Sequence, residues 1–153
     1  MPNTPAAVSR GITALIGNEK TDPAQMALAE SLLGAVGQTL RLQTESQMDA
    51  VTAVSGSGPA YVFYLIETMA AAGMAQGLPV EMAMQLAKAT VAGAGHLAET
   101  ADQDPAQLRQ NVTSPMGTTA AALEVLMGKQ SGLAPLMQAT IKAAAERSKE
   151  LSQ

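Results

Sequence analysis

Apolar positions along this chain keep one spacing up to residue 43 and another beyond it. Gly11-Ile12-Thr13-Ala14-Leu15-Ile16 is short, holds β-branched residues and predicts a strand. Met1-Pro2-Asn3-Thr4-Pro5 is expected to begin no regular element, because each proline disfavours helix at the residue ahead of it. A polar turn from Gly17 to Thr21 leads to Asp22-Pro23, a capping carboxylate with proline at the first helical position. Met26, Ala29, Leu32, Leu33 and Val36 then recur at helical spacing, and Gly37 is placed to stop that helix. Thr39 to Gln43 alternates and predicts a second strand. Residues 6–43 thus read as a β-α-β unit. Two short strands alone make a marginal sheet, so these are expected to belong to a larger one.

From Thr44 onward the pattern is helical. Thr44-Glu45-Ser46-Gln47 fits a capping box ahead of a short helix with Met48, Val51 and Val54. Ser55-Gly56-Ser57-Gly58 is expected to break it as a tight turn between helices. It matches neither the Walker pattern nor the spaced dinucleotide fingerprint, and it follows no strand. Pro59 opens a long helix to about 76, ended by Gly77, and Pro79 opens the next, to about 99, with Glu81 in its first turn. Asp104-Pro105 repeats the cap-and-proline signal for a helix to about Val112. Further helices span about 119–127 and 133–151.

The helices between 59 and 99 are apolar over too much of their circumference for a two-layer monomer. Leu65, Ile66, Met69, Met82, Met84, Leu86 and Val91 alternate with alanines and glycines, including Ala92-Gly93-Ala94-Gly95. Helices apolar on all sides need cover on all sides, and an interlocked homodimer is the economical way to supply it.

Composition narrows the chemistry. Hydrophobic residues make up 47% of the 153, with one Phe, two Tyr and no Trp, so a core must be built from Ala, Leu, Val and Met. No cysteine is present, which removes disulfides, thiolate metal sites and cysteine nucleophiles. A net charge of −4 with nine Lys and Arg argues against a nucleic-acid surface. No signal peptide and no run of about 18 apolar residues is found, so a soluble cytoplasmic protein without membrane contact is the expectation. His96 is the only histidine and stands inside a helix, which points to a surface or interface role and to no metal site.

The stretch with the most chemistry is Val112-Thr113-Ser114-Pro115-Met116-Gly117-Thr118-Thr119. Ser114-Pro115 should end the preceding helix, and Gly117 lets the backbone turn and approach a ligand. Thr118 or Thr119 then opens a helix whose first N–H groups point into the loop. Free backbone donors, the positive end of a helix dipole and nearby hydroxyls suit an anion. A capped helix–helix turn accounts for the same residues. Of the nearby carboxylates, Asp104 reads as a helix cap and Asp102 remains available. Glu45, in a first helical turn, reads as a dipole partner. No residue is an obvious nucleophile.

These residues, in this order, resemble the pyrroline-5-carboxylate reductase family, which makes proline. The resemblance runs through Met1-Pro-Asn-Thr-Pro5, Asp49-Ala-Val-Thr-Ala-Val-Ser-Gly-Ser-Gly-Pro-Ala-Tyr61 and Gly77-Leu-Pro79. It continues in Pro105-Ala-Gln-Leu108 and Val112-Thr-Ser-Pro-x-Gly-Thr-Thr119, and closes at Glu146-Arg-Ser-Lys-Glu-Leu151. It covers essentially the whole chain and is similar to the family's second half. The glycine-rich nucleotide-binding half has no counterpart in these residues.

The resemblance implies a mainly α fold: residues 44–153 a helical substrate-binding and dimerisation domain, residues 1–43 a β-α-β remnant of a Rossmann-type nucleotide-binding sheet. It implies NADPH or NADH as cofactor, with its main binding site outside this chain, and an isolated chain without activity. It implies a homodimer, with a larger ring of dimers left open. By the same resemblance Ser114 and the N–H groups of Thr118 and Thr119 hold the substrate carboxylate, with Val112 and Gly117 in the same loop. The Thr119 hydroxyl contacts the ring nitrogen, as the catalytic contact. Asn111 and Asp102 line the substrate pocket, and Asn3 and Glu45 face it or the nicotinamide. Met116 stands where the family usually has glycine, and Met127 where it is usually polar. The alternative function is a non-catalytic helical oligomerisation module derived from such a reductase.

Overall fold

A computed structural model describes residues 1–152. Backbone contacts divide the chain into two units, Met1–Tyr61 with Ala139–Gln153, and Val62–Gln138.

In the first unit, β1 (Gly11–Leu15) and β2 (Gly37–Arg41) pair in parallel, in register from Gly11 opposite Gly37 to Leu15 opposite Arg41. The connection between them carries α1 (Pro23–Gly34). Asp22 and Gln25 form a reciprocal capping box: the Gln25 N–H donates to Asp22 Oδ1 at 2.8 Å and the Asp22 N–H to Gln25 Oε1 at 3.0 Å. The helix ends at Gly34, three residues before the glycine expected to stop it. Gly37 instead opens β2, with φ +145°, and a Cβ there would collide with the backbone of Gly11. Two glycines face each other where the strands begin, which moves the second strand ahead of its predicted start at Thr39.

Thr4–Val8 forms a 3₁₀ helix where no regular element was expected. Pro5 sits in its first turn, where the missing N–H has no partner to lose. Met1 lies along β1 on the side away from β2: its backbone nitrogen donates to the Ala14 carbonyl at 2.8 Å, and the Ala14 N–H donates back at 3.0 Å.

Arg41 in β2 makes a two-pronged ion pair with Glu30 in α1, its Nη2 donating to Oε2 at 2.6 Å and its Nε to Oε1. Hydrogen bonding from Arg41 holds the Glu30 carboxyl below the usual carboxylate range. A depressed folded-state pKa contributes stability above the unfolded pKa and loses it as pH falls through the folded one. Glu30→Gln should therefore lower the unfolding midpoint at neutral pH. The gap to the parent should close below about pH 4. Urea melts across that range measure it, and a gap that widens on acidification would exclude the pair as a contributor.

Beyond Arg41, Glu45–Gln47 forms a 3₁₀ turn and α2 spans Met48–Val51. The chain does not break at Ser55–Gly58 as expected: Thr52–Gly56 winds as a π-helix and runs directly into α3 (Gly58–Ala75). Glycine and serine are free to stay right-handed there, and a widened turn absorbs the extra residue. Late in α7 (Leu133–Leu151) the Ser148 hydroxyl donates to Asp49 Oδ1 at 2.6 Å, so the motifs around Asp49 and Ser148 meet in this unit.

The second unit is helical. After α3, Gly77 takes φ +95° and the Leu78 N–H returns to the Gly73 carbonyl at 3.1 Å, a left-handed helix stop. The unit continues through α4 (Val80–Thr100), α5 (Pro105–Asn111) and α6 (Thr118–Leu126). Its buried core among the described residues is Ala70, Ala83 and Ala87, with Ile66 and Met84 packed against them. No side chain larger than alanine is buried there. Burying a methyl group gives on the order of 0.8 kcal/mol, while ordering one residue's backbone costs about 1–2 kcal/mol. Three fully buried alanines are a small core for such a unit. Phe63, Tyr64, Val80, Met82, Leu86 and Leu97 all stand exposed.

Candidate functional site

The loop between α5 and α6 is built as an open cradle. Asp104 caps α5, accepting the Gln107 N–H at 2.9 Å, and the Thr113 hydroxyl closes the other end by donating to the Arg109 carbonyl at 2.6 Å. Met116 then takes φ +59°, the left-handed region, and its side chain is 100% exposed. Glycine suits that conformation, whereas a side chain there costs roughly 1–2 kcal/mol. Gly117 itself has φ −81°, which any residue adopts. Its role differs from the turning role expected of it: a Cβ would collide with the Ser114 hydroxyl oxygen. Gly117 is small so that Ser114 Oγ can sit over the start of α6.

Gly117 is also the residue that caps α6, and it brings no side chain to the task. The first helical bond is Ala121 N–H to the Gly117 carbonyl, at 3.2 Å. Among the described residues, the amides of Thr118, Thr119 and Ala120 therefore lack an acceptor, and the Ser114, Thr118 and Thr119 hydroxyls lack partners. A purely structural turn would normally spend a hydroxyl on those amides. This one leaves donors and dipole free for an anion.

Asn111, at the end of α5, donates from Nδ2 to Gln103 Oε1 at 2.8 Å and accepts from Gln107 Nε2 at 2.9 Å. That amide chain ties the segment carrying Asp102 to the residue just before the loop. Val112 follows, exposed. The substrate-loop candidates thus lie in one unit: Asp102, Asn111, Val112, Ser114, Gly117, Thr118 and Thr119. The glutamine partners of Asn111 went unnoticed in the sequence, where spacing along a short helix was the only signal.

Asn3 and Glu45 lie in the other unit, at opposite ends of the strands. Asn3 Oδ1 accepts the Ile12 N–H at 3.0 Å near the start of β1. Glu45 lines a polar hollow with Ile16–Lys20 and Gln43–Thr44, beyond the strand ends. The sheet has two strands among the described residues and no glycine-rich strand–helix turn, so nothing in it fits a dinucleotide pyrophosphate. His96 lies on α4 with Nδ1 3.4 Å from Glu99 Oε2, an exposed helix-surface pair. Among the described residues no helix is long and apolar enough to cross a membrane.

A helical domain rich in alanine and methionine, with only alanines fully buried, has the make-up of an association domain, and it carries an uncapped helix start beside a hydroxyl-rich loop. Known proteins agree and sharpen this. The family profile for pyrroline-5-carboxylate reductase dimerisation matches residues 45–151. Over the whole chain, the sequence is 45% identical to a pyrroline-5-carboxylate reductase from Pseudomonas aeruginosa, covering 55% of that protein. The solved pyrroline-5-carboxylate reductase from Coxiella burnetii superposes with a TM-score of 0.94 at 44% identity, over all of this chain and 56% of that one. The Plasmodium falciparum pyrroline carboxylate reductase, solved with NADP bound, gives a TM-score of 0.88 at 31% identity, over 62% of its length. The chain belongs to the pyrroline-5-carboxylate reductase family. It spans about half the length of the curated relatives it matches.

Proposed function

We propose that this chain supplies the substrate-binding and dimerisation half of an NADPH- or NADH-dependent reduction of 1-pyrroline-5-carboxylate to L-proline. Residues 44–153 form that half, and residues 1–43 the edge of the nucleotide-binding domain. The observation that carries the reading is the uncapped start of α6 beside the Ser114 hydroxyl. A small cyclic imino acid carries one carboxylate, and the cradle offers it the Ser114 hydroxyl and the Thr118 and Thr119 amides. The Thr119 hydroxyl then falls to the ring nitrogen, the one atom of the reacting C=N bond that hydrogen-bonds. The reduced nicotinamide, when bound, supplies hydride to the adjacent carbon. This chain holds and orients; it needs no nucleophile, in keeping with the absence of cysteine and the surface position of His96.

Val112, Gly117, Asn111 and Asp102 shape the pocket around that cradle, and Asn3 and Glu45 belong to the edge facing the nicotinamide or substrate. Two copies associate through the exposed helix faces, with a ring of dimers as an extension. A cytoplasmic setting without nucleic-acid partners suits a net charge of −4 and a soluble imino-acid substrate.

The chain alone should leave NADPH fluorescence unchanged and show no turnover. Joined to the nucleotide-binding half of a relative such as the Pseudomonas aeruginosa enzyme, it should oxidise NADPH in the presence of pyrroline-5-carboxylate. A folded, NADPH-binding chimera without turnover would overturn the reading and leave an oligomerisation module.

A further inference from the structure

Pro59 opens a gap in the backbone ladder that the far end of the unit fills. In an α-helix the carbonyl of Ser55 would accept from the N–H of residue 59, and proline has none. The ladder is displaced to match: the Ser57 N–H passes over Ala53 and donates to the Thr52 carbonyl at 2.8 Å, while the Ala60 N–H donates to Ser57 at 3.0 Å. Ala53 and Ser55 thereby lose their usual α-helical donors. Side chains replace both. The Tyr61 hydroxyl donates to the Ala53 carbonyl at 3.1 Å, and Asn3 Nδ2 donates to the Ser55 carbonyl at 3.3 Å.

The same Asn3 amide accepts the Ile12 N–H through Oδ1 at 3.0 Å, so one side chain joins β1 to the π-turn. Its two partners fix which way the amide faces: Ile12 presents a donor and Ser55 an acceptor. The site is half-buried, and Met1 sulfur lies against Gly56 in the same turn.

We propose that Asn3 is a positioning residue matched to Pro59: its amide supplies the donor the proline lacks and fixes the start of α3 against β1. This deepens the placing of Asn3 on the nicotinamide edge and rests on that reading for its bearing on the reaction. Asn3 then acts on that edge through the turn it holds. The test requires neither cofactor nor substrate, so its failure is separate from failure of the catalytic reading.

Four versions of the chain are melted: parent, Asn3→Ala, Pro59→Ala and the double variant. Asn3→Ala should lower the melting temperature by roughly 3 to 8 °C, since it strands a donor and an acceptor together. Alanine at position 59 restores an N–H for Ser55, so Asn3→Ala should cost less than half as much in that background. Should Asn3→Ala not fold, recovery on adding Pro59→Ala supports the pairing and continued misfolding overturns it. Asn3→Asp separates the two bonds. It keeps an acceptor for Ile12, whose amide should stay protected from hydrogen exchange. It also turns an oxygen toward the Ser55 carbonyl, which should shift the amide resonances of Gly56 to Gly58. Equal costs of Asn3→Ala in both backgrounds, or Ile12 protection unchanged by Asn3→Ala, overturn the proposal.

Discussion

Thr119→Val, in a reductase completed by a nucleotide-binding half, is expected to lose most of its activity with its melting temperature little changed. Valine keeps the β-branched shape and its helix preferences, so the backbone of α6 gains and loses little. The cap of α6 is Gly117, and the Thr119 hydroxyl bonds nothing within the described residues, so removing it breaks no contact of the fold. On the proposed reading it removes the hydrogen bond to the ring nitrogen, on the order of 1–3 kcal/mol, or roughly 5- to 150-fold. A contact stronger in the transition state than in the ground state places that loss in kcat as well as KM. Thr118→Val is the control, because on the same reading Thr118 contributes only its backbone N–H, which valine retains; it should cost much less. Steady-state kinetics with thermal melts of both variants decide it. Equal, small kinetic effects at the two positions would show the loop to be only a turn.

The order of elements and the character of the central loop were legible because they rest on local chemistry. Asp22-Pro23 and Asp104-Pro105 announce helix starts through a carboxylate that reaches its own backbone three residues on, and both caps are present. The position of Met116, where the resemblance puts glycine, is left-handed in the structure, with φ +59°. Where the reading went astray, a contact that sequence spacing does not show decided the outcome. Gly37 looks like a helix stop until Gly11 lies opposite it across the strand pair. Ser55–Gly58 looks like a break until Asn3 and Tyr61 supply donors that let a π-turn persist. Gly117 looks like a hinge until the Ser114 hydroxyl occupies the space of its missing Cβ.

The candidate site was legible in a different way. Ser114, Thr118 and Thr119 were recognisable by type, but their availability was not, because sequence leaves open whether a hydroxyl caps a helix or faces a ligand. In the structure Gly117 caps α6 and brings no side chain, so none of these hydroxyls is spent on the helix start among the described residues. Asn3 shows the reverse: its side chain, placed on the nicotinamide edge by resemblance, already spends one donor and one acceptor on its own backbone.

Gly93→Leu and Gly95→Leu are each expected to split a dimer of this chain or to leave it unfolded. Only Ala83 and Ala87 are buried in α4, and its second half lies open to solvent. A Cβ at Gly93 or at Gly95 meets no atom within 4 Å in its own chain. The first carbon of a leucine there enters open space, so a loss points to what covers that surface. Phe63, Tyr64, Val80, Met82 and Leu86 on α3 and α4 all stand exposed, and contiguous apolar patches beyond a few hundred Å² mark association surfaces. Small residues in the same helices give a second copy room to approach closely. Overpacking such a contact costs typically 1–3 kcal/mol, and two-fold symmetry applies it twice, which weakens association by roughly 30-fold to 10⁴-fold. Light scattering at micromolar concentration should give the parent chain twice its 15.6 kDa and the leucine variants a lower mass or aggregated material. A parent chain that stays monomeric and folded would show that three buried alanines suffice, against the energetics above. Variants that dimerise as tightly as the parent would place the contact on another face of these helices, and the exposed aromatic pair on α3 is where it would then have to lie.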